Sequence, residues 1–219
     1  MRTRVKICGI TRPGDALDAI AQGVDALGFI QWNKSPRYIQ PQRMAEIARE
    51  LPAFVCAVAV FVNPTRDEVN AVLDAWPGAT LQFHGEETPS FCAQFRRPWI
   101  KTARARPGLD LVEYLAPYRE ASAWLVDAFH EQLYGGTGSR FDWSLVPRSL
   151  SGLLILSGGL DSENVGEAIR SLHPHAVDVS TGVELDKGVK DASKIAAFMA
   201  EVRAADYDAR GFAPIEEAG

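Results

Sequence analysis

Two residues of complementary chemistry stand at the ends of strand-like runs. Cys8 closes "RVKIC" (4–8) and is followed directly by Gly9, and Asp127 sits near the end of "AWLVDAF" (123–129). A thiolate accepts a proton and a carboxyl gives one, so the pair suits proton transfer from two sides of a bound molecule. Taken alone, such a cysteine is as readily a small hydrophobe closing a strand. Two glycine-bearing turns, "SGGL" (157–160) and "STGVE" (180–184), add a different function. Turns of this kind expose backbone N–H groups, and a following helix N-terminus adds partial positive charge. Gly158, Gly159, Ser180, Thr181 and Gly182 are therefore expected to bind a phosphate. Arg37 in "NKSPRYI" (33–39) has the planar fork that grips a carboxylate through two parallel bonds, although a lone loop arginine is often only solvated. His84 and Asp178, at the ends of two further runs, are expected with Arg37 to line a substrate, although a histidine there also suits a purely structural role. "YGGTGSRFDW" (134–143) is glycine-rich but lacks the Lys-Ser/Thr ending of a P-loop, which leaves a mobile lid or a shaped wall as its expected role.

The bulk composition narrows the partner. The chain has 219 residues, 47% of them hydrophobic, which is enough for one sizeable core. A net charge of −5 without a strongly basic stretch argues against nucleic acid as a partner. Cys8, Cys56 and Cys92 are odd in number and widely spaced, with no CxxC or His-rich cluster, so neither a disulfide framework nor a metal site is expected. No apolar run is long enough to span a bilayer and "MRTRVKICGI" lacks a signal-peptide pattern, so no membrane partner is expected. The expected setting is a reducing cytoplasm and the expected partner a small phosphorylated molecule. Nothing selects between monomer and homodimer.

The elements that must position these residues alternate along the chain. Strand-like runs cover 4–8, 25–30, 54–62, 80–83, 99–103, 123–129, 152–157 and 176–180, and amphipathic segments lie between them. Among the latter, "PQRMAEIAREL" opens on Pro41, and "NPTRDEVNAVLDAW" offers Thr65 and Glu68 as a capping box. Strands alternating with helices pair in parallel, which leaves an open doubly wound sheet or a closed (β/α)8 TIM barrel. Eight strand-helix units favour the barrel, with residues 1–204 as its single domain and 205–219 as a polar tail, and the missing GxGxxG weakens the open sheet. Period-two alternation then turns Val5, Ile7, Leu81, Phe83, Ile100, Val126, Val177 and Val179 toward the helices. It turns Lys6, Cys8, Gln82, His84, Lys101, Leu125, Asp127, Asp178 and Ser180 toward the barrel axis, unless a strand is slipped by one residue. Buried charges need partners, so such a layer is best explained as support for a site at the C-terminal mouth.

In order along the chain, "KICGIT", "DALGFI", "KSPRYI", "VAVFVN", "QFHGEE", "LVDAF", "YGGTGSRFDW", "LSGGL", "ENV", "AVDVSTGVE" and "KGVKD" resemble the phosphoribosylanthranilate isomerase family over about residues 4–200. The resemblance implies a (β/α)8 barrel isomerase of tryptophan biosynthesis that uses neither cofactor nor metal. It implies Cys8 as general base, Asp127 as general acid, Arg37 at the anthranilate carboxylate and the two glycine turns at the phosphate. "IQWN" (30–33), Phe83 and Thr181 depart from the family's usual residues, none at a catalytic position. The chemistry needs a carboxyl that keeps its proton and a thiol that loses it. Lys6, two residues back on the same face, is expected to lower the thiol's pKa. Two other readings remain at this stage: a related phosphate-binding barrel enzyme of tryptophan or histidine biosynthesis working through carboxylates and lysines, and a non-catalytic sugar-phosphate binder or thiol sensor.

Overall fold

The computed structural model describes residues 2–128 and 142–208. Eight parallel strands close into one ring in chain order: β1 (Arg4–Cys8), β2 (Ala26–Ile30), β3 (Cys56–Phe61), β4 (Thr80–Phe83), β5 (Trp99–Ala105), β6 (Ala123–Ala128), β7 (Leu154–Leu156) and β8 (Ala176–Val179). The barrel expectation holds and the open sheet is excluded. The connecting helices are α1 (Pro13–Ala21), α2 (Pro41–Arg49), α3 (Arg66–Ala75), α4 (Pro89–Ala93), α5 (Leu111–Leu115), α6 (Val165–Leu172) and α7 (Ala192–Asp208). Pro41 occupies the first turn of α2, where a missing N–H costs nothing. Thr65 and Glu68 form the expected reciprocal cap on α3. α4 and α5 are each five residues long, too short to show a helical period in sequence, and are started by Thr88 and Asp110 side chains accepting backbone N–H bonds. A hairpin of β9 (Glu184–Asp186) and β10 (Val189–Lys190) follows β8 and was not expected.

Alternation divides the core into two layers. Val5, Ile7, Leu27, Phe29, Leu81, Phe83, Val126, Val177 and Val179 face the helices. Val58, Val60, Ile100, Leu125 and Ile155 fill the barrel interior together with Cys8. Each such side chain contributes on the order of 1.5–3 kcal/mol when fully buried.

The expected parity holds on β1, β4, β6 and β8 and fails on β5. Ile100 points inward, and Lys101 points outward, where its Nζ donates to Gly85 O at 2.6 Å and Glu87 Oε2 at 2.9 Å and sits 5.2 Å from the Tyr118 ring centre. Trp99 and Ile100 are both buried, one on each face, so the apolar alternation carries no sign there. Glu87, beyond β4 in sequence, supplies the partner that makes an outward buried lysine tolerable. Inside the ring, Thr102 takes the neighbouring place and accepts from Gln82 at 3.4 Å.

The last helix runs through the boundary expected at Ala204. Ala205 is buried, and Asp206 accepts from Thr3 N (3.0 and 2.8 Å) and Thr3 Oγ1 (2.7 Å), tying the end of α7 to the start of β1. The remainder of the expected tail, 209–219, lies outside the described residues, as does 134–141 of the glycine-rich segment. Asp142 and Trp143 are described: Asp142 Oδ1 caps a 3-10 turn by accepting from Ser144 N at 2.9 Å. Among the described residues, no helix is long and apolar enough to cross a membrane.

Replacing Lys101 by Met would strand a buried Glu87 carboxylate. Lys101→Met is expected to lower unfolding free energy by about 3 kcal/mol, seen as a lower urea midpoint. A midpoint equal to wild type would show that Glu87 is paired elsewhere.

Candidate active site

The C-terminal ends of the strands open into a cleft. Its wall carries Cys8 from β1, Arg37 from the loop after β2, Gln82 and His84 from the end of β4, Asp127 from β6 and Asp178 from β8. A second hollow adjoins it, shaped by Ser157, Gly158 and Gly159 after β7 and by Ser180, Thr181 and Gly182 after β8. Asp127, Asp178 and Ser180 line both hollows. The sequence-derived residues therefore converge on one continuous space.

The glycine turns are shaped by close approach. Gly158 has φ +91°, and a Cβ there would sit 2.6 Å from Ala128 N and 3.1 Å from Asp127 Oδ1. Only glycine lets this turn pack against the strand end that carries Asp127. Gly28, opposite Cys8 in the β1–β2 register, has the same importance for the thiol. A Cβ on Gly28 would lie 2.8 Å from Cys8 Sγ and 3.0 Å from Lys6 Nζ.

Asp127 is buried and accepts from Ala128 N at 2.8 Å. His84 Nε2 lies 3.3 Å from Asp127 Oδ2, close enough for electrostatic contact, yet it is too poorly aligned to count as a hydrogen bond. On the other side of the ring, His84 Nδ1 is 3.4 Å from Gln82 Nε2. Among the described residues Gln82 Oε1 has no partner.

Lys6 Nζ donates to Asp178 Oδ1 at 2.8 Å, so the nearest cation is already matched by a carboxylate. Burial works against the Lys6 ammonium, but Asp178 and Cys8 outweigh it and push its pKa up. For the thiol, burial is the largest influence and raises its pKa; Lys6 pulls it down, Asp178 pushes it further up, and Lys190 pulls it down. Lys6 thus lowers the thiol's pKa as expected, but burial, the larger influence, leaves it raised overall.

Arg37 is buried and its fork is taken from within. Nε donates to Glu184 Oε1 at 2.7 Å and Nη2 to Glu184 Oε2 at 2.6 Å. This bonding, against the opposing effect of burial, raises the arginine's pKa. The Glu184 carboxylate is penalised by burial, but Arg37 and Lys190 outweigh that and hold its pKa low. Glu184 and Lys190 were not singled out from sequence. Their signal lay in "DKG" (186–188), a two-residue Lys-Gly connection of the kind that closes hairpins. Among the described residues no cluster of His, Cys, Asp or Glu is placed to hold a metal ion.

A closed (β/α)8 ring with a thiol, a carboxyl and two glycine turns at its C-terminal mouth has the layout of a barrel enzyme. Comparison narrows this class. The family model for N-(5'phosphoribosyl)anthranilate (PRA) isomerase matches residues 5–201. The N-(5'-phosphoribosyl)anthranilate isomerase of Dechloromonas aromatica is 52% identical over 206 residues, 94% of this chain and 99% of the relative. The crystal structure of phosphoribosyl anthranilate isomerase from Thermotoga maritima superposes with a TM-score of 0.84 at 39% identity, covering 92% of this chain and 99% of that one. A further solved structure, of phosphoribosyl anthranilate isomerase in complex with reduced 1-(o-carboxyphenylamino)-1-deoxyribulose 5-phosphate, superposes with a TM-score of 0.82 at 39% identity, with the same coverage. The chain belongs to the phosphoribosylanthranilate isomerase family, enzymes of tryptophan biosynthesis.

The crowding around Gly28 gives a direct check on the site. Gly28→Ala is expected to displace Cys8 Sγ and to reduce kcat/KM by on the order of tenfold to a hundredfold while the circular dichroism spectrum stays that of wild type. Unchanged kinetics would mean that the thiol's position is not critical.

Proposed function

We propose that this chain catalyses the Amadori rearrangement of N-(5'-phosphoribosyl)anthranilate to 1-(2-carboxyphenylamino)-1-deoxyribulose 5-phosphate. The observation that carries the reading is the placement of Cys8 and Asp127 on one cleft that runs into the hollow between the β7 and β8 turns. The relative solved with the reduced product analogue supports the same substrate class.

In this reading Gly158, Gly159, Ser180, Thr181 and Gly182 hold the phosphate, largely through backbone N–H groups, and so fix the ribose against the two catalytic groups. Asp127 is the general acid. It gives its proton to the ribose ring oxygen as the C1'–O4' bond breaks, and the amine lone pair closes to an iminium. Cys8 as thiolate is the general base. It removes the C2' proton, the C–H electrons form the C1'–C2' double bond, and the iminium electrons return to nitrogen. The resulting enol takes a proton at C1', gives up the proton of its C2' hydroxyl and becomes the ketone. Every step is a proton transfer or an internal electron shift, so no cofactor is called on.

Arg37 orients the anthranilate carboxylate. With Nε and Nη2 committed to Glu184, its Nη1 edge is the one left for a ligand. Asp178 and His84 line the substrate, and His84 also stands 3.3 Å from the acid. The barrel through the end of α7 at Asp208 forms the catalytic domain in this reading. Cys8, Cys56 and Cys92 are all free, as thiols are in the reducing cytoplasm where we place the enzyme.

The test is the loss of substrate fluorescence when the protein meets freshly prepared phosphoribosylanthranilate. Cys8→Ser and Asp127→Asn should each keep the fold and cut turnover by on the order of 10²–10⁴-fold. Wild-type rates in either variant would remove that residue from its role. Binding without turnover in the wild type would leave a sugar-phosphate binder instead.

A further inference from the structure

The acid, the base and the glycine turns leave unexplained a buried glutamate and lysine that the β9–β10 hairpin brings to the cleft. Glu184 and Lys190 are each 6% exposed. Glu184 Oε1 accepts from Arg37 Nε at 2.7 Å, from Lys190 Nζ at 2.9 Å and from Gly188 N at 3.2 Å, and Oε2 accepts from Arg37 Nη2 at 2.6 Å. Burial works against the Glu184 carboxylate, but Arg37 and Lys190 outweigh it, so both oxygens accept. The hairpin that carries Glu184 is itself tied down. Lys190 N donates to Asp15 Oδ2 at 3.0 Å, Lys194 Nζ to Glu184 O at 2.7 Å and Thr11 Oγ1 to Gly188 O at 2.6 Å.

Arg37 is held at both ends. Its stem lies over Gly9, where a Cβ would stand 2.7 Å from Arg37 Cδ. Its fork rests on Glu184, and its Nη2 lies 3.5 Å from Thr181 Oγ1. Lys190 Nζ also donates to Ser180 O at 3.1 Å and Ser180 Oγ at 3.4 Å. One carboxylate therefore joins the loop after β2 to the turn after β8. Balancing the arginine's charge would take a single contact. Two parallel bonds do more: they fix the plane of the guanidinium and choose the edge that stays open. An arginine without such a partner keeps a flexible stem, which a ligand must order on binding.

We propose that Glu184 is a positioning residue: it fixes the plane and the edge in which the Arg37 guanidinium meets the carboxylate of the ligand. This rests on the reading of Arg37 as the group that orients that carboxylate. Lys190 serves the same end by tying Glu184 to Ser180, so the spacing between Arg37 and the turn after β8 is set before the ligand arrives. A ligand with a carboxylate finds the arginine already ordered, and the gain falls on that carboxylate alone.

The test is calorimetric titration of the full chain with two ligands. One is reduced 1-(o-carboxyphenylamino)-1-deoxyribulose 5-phosphate. The other is the same compound made with aniline in place of anthranilate, which lacks the carboxylate. Wild type is expected to prefer the first. Glu184→Gln keeps the volume but turns one acceptor into a donor. It is expected to weaken the first ligand by about fivefold to tenfold and to leave the second within about twofold of wild type. Glu184→Asp keeps the charge beside Lys190 but falls one methylene short of Arg37, and should shift the preference in the same direction. In an Arg37→Met background, Glu184→Gln should change the preference no further. A purely structural role would weaken both ligands alike in the two Glu184 variants, and that result overturns the proposal. So does the wild-type preference in either variant, or a further effect of Glu184→Gln without Arg37. Tighter binding of the first ligand by Glu184→Gln also overturns it, because Glu184 would then be a competitor for the arginine. The underlying reading fails separately: Arg37→Met with the wild-type preference would remove Arg37 from the carboxylate, and the proposal with it.

Discussion

The ring closes where β1 meets β8, and the inward-facing partners at that seam are an ammonium and a carboxylate. Lys6 and Asp178 stand opposite each other in register, with 2.8 Å between Nζ and Oδ1. A branched apolar pair would fill the same space and stabilise the closure at least as well, because buried ion pairs rarely gain net stability over hydrophobic replacements. The pair therefore makes sense through the mouth above it. It sets the orientation of Asp178, whose second oxygen accepts from Ser157 at 3.4 Å, at the start of the turn after β7. It also sets a cation and a carboxylate with opposite effects beside the neighbouring thiol: Lys6 lowers its pKa and Asp178 raises it, while burial outweighs both.

Buried ion pairs stand on both sides of the sheet. Toward the cleft, the Lys6–Asp178 pair joins β1 to β8, and Glu184 joins Arg37 to Lys190 of the hairpin beyond β8. Outside, Lys101 and Glu87 hold the segment after β4. Glu87 Oε1 accepts from Asn63 N at 2.8 Å and Gly85 N at 3.2 Å, while Lys101 holds Gly85 O. Gly85 directly follows His84, so the outer network fixes the backbone from which His84 reaches toward Asp127. The polar groups that cost most to bury thus occupy positions that brace the two sides of the cleft.

Much of this was legible in the residues themselves. β1 and β4 carry apolar residues on one parity and polar ones on the other, while β6 and β8 carry Asp127 and Asp178 on the parity opposite Val126, Val177 and Val179, and the inward positions of Lys6, Gln82, His84, Asp127 and Asp178 follow from that pattern. β5 hid its parity because Trp99 and Ile100 are apolar on both faces, and only the three-dimensional position of Glu87 decides where Lys101 goes. α4 and α5 are too short for a period to register, and the β9–β10 hairpin consists of five paired-strand residues around Lys187 and Gly188. The convergence of Cys8, Asp127 and the glycine turns was readable from strand ends alone. The balance at the thiol was not, because it depends first on how deeply Cys8 is buried and then on charges that reach it from β1, β8 and the hairpin.

The clasp between Thr3 and Asp206 has a consequence for how the ring is held closed. It lies at the N-terminal end of β1, the pole of the barrel opposite the mouth. Thr3 and Asp206 thus fasten the first strand to the last helix on the side of the ring away from the cleft, so the closure of the barrel is braced at both poles, by this clasp below and by the Lys6–Asp178 pair within.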